Sequence, residues 1–316
     1  MEDFNPRRIA LVGAGSLGGL LGGLLCEGGL DVTLIDLWKE HIDRIRKDGL
    51  RITGYGGDRV IKLEATTDAG EAGKMDVVIF QTKAHHTARA ALDALPLFGE
   101  HTVAVSFTNG LGKEEIIGGV VGMHRVIGGT TMQGANVTEP GVIRHAGNLP
   151  STIGELDGRL TDRIQKIEVA FNKAGLHTAI SENIRLTIWK KAIVNIGTNP
   201  IHALCNLRVG EIFDVQEVKE IIFDTMEEAV RVGRAEGMEA LDFDGPKEVL
   251  MQITGKDGTS TNRSGMLMDV LAKRKTEIDF LNGAIVRLGM KHGIPTPINK
   301  TLVAAIKGLE RNFDPS

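Results

Sequence analysis

Three clusters of side chains in this chain of 316 residues have the makings of a ligand site. The first is the run Gly13-x-Gly15-x-x-Gly18. Such a run lets a backbone turn come close to a pyrophosphate, the chemistry of dinucleotide binding. The second lies in WKKAIVNIGTNP, residues 189–200, where Lys191, Asn195 and Asn199 interrupt an apolar stretch at intervals of four. On a helix that spacing stacks an ammonium and two carboxamides along one stripe. The stripe faces either water or something that needs those groups. The third is Glu277 in TEIDFLNG, residues 276–283. Thr276 is a good N-cap and would set Glu277 in the first helical turn, where a glutamate commonly serves only the helix dipole.

The glycine run has the elements it needs. Ile9 to Val12 is a short apolar stretch ending at glycine, as a buried parallel strand does. Residues 16–27 have helical periodicity through Leu17, Leu20, Leu21, Leu24 and Leu25, and Gly28–Gly29 ends the helix. Val32 to Ile35 reads as the next strand, completing a βαβ unit. Gly13 permits the tight turn, Gly15 admits the pyrophosphate, and Gly18 lets helix and strand pack closely. Ser16 and Leu17 open the helix whose N-terminal N–H groups would face the phosphates, so both join the expected cofactor set. Asp36 ends the second strand. A carboxylate there accepts hydrogen bonds from ribose hydroxyls and repels a 2′-phosphate. Leu37 and Trp38 offer no guanidinium, although Lys39 is near. The expected cofactor is NAD(H) in preference to NADP(H).

The α/β alternation continues through a helix over Lys39–Asp48, strands near Leu50–Ile52 and Val60–Leu63, and a central strand over Asp76–Thr82. Gln81, Thr82 and Lys83 stand at its carboxyl end, where ligand crevices of parallel sheets open. Lys83 is equally explained as a solvated helix start, and His85 and His86 read as surface residues. Asn109 ends the strand VAVSFTNGLG, either as a turn residue or as an amide meeting cofactor or substrate. Residues 125–154 read as short strands forming an antiparallel addition to the sheet, and Ala135 within them joins the cofactor set. After Ile180 helices take over, at Arg185–Leu204, Val215–Glu236, Glu277–His292 and Asn299–Leu309. Pro200 predicts a kink just after Asn199. Residues 255–265 read as a polar loop.

The fold class expected is therefore α/β: a dinucleotide-binding domain over residues 1–182 and an all-helical domain over 183–316. A net charge of −4 gives no footprint for nucleic acid. The longest apolar run, LGGLLGGLL, is too short and glycine-rich for a membrane span, and the N-terminus does not read as a signal peptide. Cys26 and Cys205 are expected to be buried free thiols of a cytoplasmic protein. Histidines and acids have no metal-ligand spacing.

Taken together, VGAGSLG, QTKAHH, TNGLG, WKKAIVNIGTNP, NRSGMLMD and TEIDFLNG resemble, in order and spacing, the ketopantoate reductase (2-dehydropantoate 2-reductase) family over nearly the whole chain. The resemblance implies a Rossmann domain plus a helical domain with the active site in the cleft between them. It implies that Lys191 is the general acid, Glu277 binds the substrate hydroxyl, and Asn195 and Asn199 hold the substrate. Asn109 would sit where substrate and nicotinamide meet, with Lys83 near the site. Bottom-up chemistry agrees: as hydride reaches a ketone carbon, a positioned ammonium stabilises the oxygen and protonates it. The expected partner is a small 2-oxo or hydroxy acid, and a homodimer is left open as the assembly.

Two departures stand out. Many family members carry arginine where this chain has Leu37, which strengthens the NAD(H) expectation. The family loop usually reads Ser-Ser-Met, but here it is Ser264-Gly265-Met266. The second serine helps bind the substrate's carboxylate side, and Gly265 cannot; Asn262 and Ser264 are the residues left to compensate. The substrate is then ketopantoate or, as an alternative, another hydroxy acid or sugar-derived acid oxidised by an NAD-dependent dehydrogenase of the same family. A non-catalytic dinucleotide sensor would need neither Lys191 nor Glu277.

Overall fold

A computed structural model describes residues 4–254 and 263–313. Packing divides the chain into two units. The first comprises the chain up to Thr108 together with Lys113–Ile184, and the second comprises Asn109–Gly112 and the chain from Arg185 onward.

The first unit begins β1 (Arg8–Val12), α1 (Ser16–Glu27), β2 (Asp31–Ile35), α2 (Lys39–Asp48), β3 (Leu50–Gly54), β4 (Arg59–Ile61), β5 (Glu64–Thr66) and β6 (Met75–Phe80). It continues with α3 (Thr87–Asp93), β7 (Phe98–Ser106), α4 (Lys113–Val121), β8 (Val126–Thr131), β9 (Gly134–Glu139), β10 (Val142–Gly147), β11 (Ser151–Glu155), α5 (Asp162–Lys173) and β12 (Thr178–Ile180). Eight strands form one sheet in the order β12-β11-β8-β7-β6-β1-β2-β5. All neighbours in it run parallel except β8 and β11. This is a Rossmann-type sheet, and its order reverses at β1 and β6. Both faces are covered: along β1, Ile9 and Leu11 enter one buried cluster while Ala10 and Val12 enter another. That double burial is why the strand reads as a continuous apolar run.

The segment 125–154 departs from expectation. Of its strands, β8 joins the main sheet parallel to β7, and only β11 adds to it antiparallel. Strands β9 and β10 pair with β3 and β4 in a separate four-stranded sheet ordered β4-β3-β10-β9. Helix α1 packs against both sheets, and this explains its glycines. A Cβ on Gly22 would come within 2.4 Å of Leu34, and one on Gly19 within 2.4 Å of Ile143 in the small sheet. Each glycine costs the helix about 1 kcal/mol of propensity, offset here by packing that no larger residue permits.

The described part of the second unit is helical: α6 (Ile184–Cys205), α7 (Gln216–Ala235), α8 (Asp244–Thr254), α9 (Gly265–Leu271), α10 (Asn282–His292) and α11 (Pro297–Glu310). Helices α6 and α7 meet at Gly197, where a Cβ would lie 2.6 Å from Met226. Helix α6 runs on through Pro200 to Cys205, so the expected stop after Asn199 is not observed. The expected helix over Glu277–His292 is shorter as well. A 3-10 turn, Ile278–Phe280, precedes α10, and Leu281 (φ −107°, ψ −102°) breaks the chain between them. Both cysteines are free, as expected, but Cys205 at the end of α6 is exposed and Cys26 is only half-buried. No helix of the described residues is long and apolar enough to cross a membrane.

Candidate active site

In the first unit the glycine turn lies at the carboxyl ends of β1 and β6. Val12 pairs with Phe80, so Gly13 and Gln81 leave the sheet side by side at the reversal point, where ligand crevices form. Gly13 has φ +94°, and a Cβ there would sit 2.8 Å from the Gln81 and Thr82 backbone. A Cβ on Gly18 would lie 1.9 Å from the Gly13 carbonyl. Both glycines are thus required by the protein itself. Gly15 is different: nothing of the described chain lies within 4 Å of where its Cβ would be. It is the N-cap of α1, no side chain caps that helix end, and its first turn holds no acid. An open approach to an uncapped helix N-terminus fits a pyrophosphate. Gln81 Oε1 and Thr82 Oγ1 are buried without a hydrogen-bond partner among the described residues, polar atoms that a bound dinucleotide would satisfy.

Around this turn, the Ser16 hydroxyl accepts the Val137 N–H of β9 at 3.2 Å, which fastens the small sheet to the start of α1. Ala135 on the same strand is half-buried and Leu17 likewise. Asp36 follows β2, and its Oδ1 accepts the Trp38 N–H at 2.9 Å, leaving Oδ2 for a further donor. Leu37 is 78% exposed. Lys39 forms an ion pair with Asp43 one turn along α2, which occupies the cation nearest to a would-be 2′-phosphate. His41 is buried and its ring stacks on Trp38. Burial pushes its pKa below the ordinary histidine value, although Asp36 and the Ala14 carbonyl pull the other way. Lys83 precedes a 3-10 turn over Ala84–His86 and is half-buried. His86 is exposed, but His85 is half-buried rather than on the surface.

In the second unit, Lys191, Asn195 and Asn199 are each half-buried, while Ala192–Val194, Ile196–Thr198 and Pro200 around them are buried. The polar stripe is therefore the one partly open line on this part of α6. Asn282, first residue of α10, donates from Nδ2 to the Ile196 carbonyl at 2.9 Å. The turn carrying Glu277 is thereby tied to α6 beside the stripe. Glu277 is half-buried and caps the 3-10 turn, its carbonyl taking the Phe280 N–H at 2.9 Å. Thr276, expected to cap a helix, instead bonds Glu310 Oε1 from both its N–H, at 2.7 Å, and its hydroxyl, at 2.6 Å. The loop Asn109–Gly112 joins this assembly: Leu111 N–H donates to the Phe280 carbonyl at 2.9 Å. Gly110, at φ +95°, would set a Cβ 2.7 Å from that same oxygen. Short bonds thus link the stripe, the Glu277 turn and the Asn109 loop. Ser264 lies at another place, the N-cap of α9, where its Oγ accepts the Leu267 N–H at 3.2 Å. Asn262 lies outside the described residues.

Residues 9–158 match the family described as ketopantoate reductase PanE/ApbA, and residues 183–310 match its C-terminal counterpart. The chain belongs to the ketopantoate reductase PanE/ApbA family. It is 36% identical to the 2-dehydropantoate 2-reductase of Pyrococcus horikoshii, over 96% of this chain and 97% of that one. A solved PanE/ApbA family ketopantoate reductase from Ralstonia eutropha JMP134 superposes with a TM-score of 0.88 at 29% identity, covering 96% of this chain and 99% of that one. A D-mandelate dehydrogenase solved with NADH and anilino(oxo)acetate superposes with a TM-score of 0.92 at 28% identity, covering 96% and 98%.

Within the ketopantoate reductase family this chain has one informative gap. Gly265 opens α9, is exposed, and has nothing of the described chain within 4 Å of a Cβ. A serine would fit there, so the glycine is not a steric necessity. Sequence reasoning also passed over Asn282, although it stands in TEIDFLNG. The signal available was Pro200: a proline within a helical pattern leaves a carbonyl that needs a donor from elsewhere.

Proposed function

We propose that this chain reduces the ketone of a small 2-oxo acid, ketopantoate or a close analogue, with NADH. The observation that carries the reading is the linkage of Lys191, Asn195, Asn199, Glu277 and Asn109 by bonds at Ile196 and Phe280. A bound reduced nicotinamide supplies the hydride. The Lys191 ammonium stabilises the negative charge that grows on the ketone oxygen and then donates its proton there. Asn195 and Asn199 donate to carboxylate or carbonyl oxygens, and Asn109 donates beside them. The Glu277 carboxylate accepts from the substrate hydroxyl. Gly13, Gly15, Ser16, Leu17, Gly18, Gln81, Thr82, Lys83 and Ala135 line the dinucleotide. The preference for NADH follows from Asp36 beside an exposed Leu37 and from a Lys39 already paired with Asp43.

A second reading has its own support. Gly265 lacks the hydroxyl of the family loop, and a D-mandelate dehydrogenase is among the structural likenesses. The chain would then oxidise another hydroxy acid with NAD. Following NADH and NADPH absorbance over a panel of 2-oxo and 2-hydroxy acids tests both. A clear optimum for ketopantoate ends the second reading, and an optimum for a different acid ends the first. No turnover of any acid in the panel ends both.

A further inference from the structure

Helix α6 carries a proline in its interior. Pro200 has no N–H, so the carbonyl of Ile196, four residues back, loses its helical donor. Asn282 Nδ2 supplies a replacement at 2.9 Å. The same nitrogen donates at 3.0 Å to Asn299 Oδ1. Asn299 in turn gives its Nδ2 to the Thr225 carbonyl at 3.2 Å and to Glu228 Oε2 at 2.8 Å. Glu228 also takes the Ile298 and Asn299 backbone N–H groups, both at 3.0 Å, at the start of α11. All three side chains are buried, Asn282 and Asn299 with no exposure and Glu228 with 2%. The carbonyls of Ile196 and Thr225 can only accept, so each asparagine must present its NH2 to them, and the orientation of both amides is settled.

The two donors of Asn282 are what the fold keeps, since its Oδ1 has no partner among the described residues. A buried acceptor left orphaned is tolerated where the donors are indispensable. The carbonyl they serve lies between Asn195 and Asn199. Lys191 and Asn195 stand before the gap that Pro200 makes in the helical ladder, and Asn199 stands within it.

We propose that Asn282 is a positioning residue for the polar stripe: it replaces the amide that Pro200 lacks and so holds Asn199 in helical line with Asn195 and Lys191. The 0% exposure of Asn282 keeps it from touching a substrate. The network through Asn299 to Glu228 fixes its amide in turn, tying α6 to α7, α10 and α11. The kinetic side of this role rests on the reductase reading; the structural side does not.

Asn282→Leu removes both donors at nearly constant volume. The KM for the 2-oxo acid is expected to rise about tenfold or more, while the NADH dissociation constant, read by fluorescence, stays within about twofold. A residue that served stability alone would lower Tm and leave KM where it was. Adding Pro200→Ala returns an amide to position 200, and the double variant should recover most of the lost KM, a coupling that a double-mutant cycle measures. An unchanged KM in Asn282→Leu, or a double variant no better than the single one, overturns the proposal. If Asn282→Leu does not fold, the double variant must fold where the single does not, and its failure to do so counts equally against the role. If the unaltered protein turns over no 2-oxo acid, the reductase reading fails alone. The coupling of Pro200 with Asn282 in thermal unfolding still decides the repair of α6: strictly additive losses overturn it.

Discussion

Gly265→Ser puts the family's hydroxyl back at the start of α9, and the structure sets the size of the effect. Nothing of the described chain lies within 4 Å of the new Cβ, and Gly265 does not have a left-handed φ. The substitution therefore adds no clash or backbone strain. Serine for glycine in a short helix gains a few tenths of a kcal/mol of propensity, roughly, so the fold should be at least as stable. A hydrogen bond to a charged carboxylate contributes about 1.5–3 kcal/mol, or about ten- to a hundredfold in affinity. Gly265 is exposed, and water competes there, so the lower end applies and about a tenfold fall in KM for ketopantoate is expected. The turnover number should hold within about threefold, because the new bond forms equally in ground and transition states. The assay is steady-state NADH oxidation over a ketopantoate series, with Gly265→Ala as the control that adds Cβ without a hydroxyl. Equal KM values for the serine and alanine variants would refute the reasoning, because the hydroxyl would then have no anion to meet.

Three further outcomes are expected. Lys191→Ala should lower kcat by roughly two to four powers of ten with circular dichroism unchanged, the range for losing a general acid; near-normal turnover would remove Lys191 from that role. Asp36→Ala with Leu37→Arg should move the ratio of kcat/KM for NADPH over NADH up by about ten- to a hundredfold, since one charge-assisted bond is gained and one repulsion lost; unchanged selectivity would put the ribose contact elsewhere. Burial pushes His41, His145 and His202 all below the ordinary histidine pKa of about 6.5. The unfolded chain then binds more protons than the folded one at acid pH, so stability is full above about pH 6.5 and lost as pH falls toward the folded values. Tm should be lower at pH 5.5 than at pH 7.5, a window above the carboxylate range, and a Tm that rises on acidification would contradict this.

Much of the first unit was legible because its signals are local. Gly13 and Gly18 are dictated by contacts within one βαβ turn, and β6 reads as a continuous apolar run because both its faces are buried. The stripe on α6 was legible as a pattern, since half-buried polar residues at intervals of four stand out against Ala192–Val194 and Ile196–Thr198. What local pattern does not carry is pairing at a distance. Strands β9 and β10 read as part of the main sheet, yet β10 pairs with β3, about ninety residues earlier in the chain. Thr276 has the chemistry of an N-cap, but Glu310 takes both its donors and leaves Glu277 ahead of the helix rather than within it. Pro200 predicts a stop, and only Asn282, eighty-six residues downstream of the carbonyl it serves, explains why α6 continues.

The smallest segment has the widest consequence. Asn109–Gly112 belongs by packing with the helical unit although strand β7 and helix α4 on either side belong with the sheet. The reason is steric and local: Gly110 has the positive φ and the missing side chain that let the loop lie against the Phe280 carbonyl, and Leu111 bonds that oxygen. As a result, every described residue proposed to meet the acid (Asn109, Lys191, Asn195, Asn199, Ser264 and Glu277) packs within one unit. The described residues proposed for the dinucleotide pack in the other, Asn109 alone having been expected to meet both. Binding of the two ligands is thereby divided between separately packed frameworks, and a defect in one framework should fall on the KM of one ligand. That division is what makes a change in acid KM at constant NADH affinity a meaningful readout for Asn282, and for Gly265 as well.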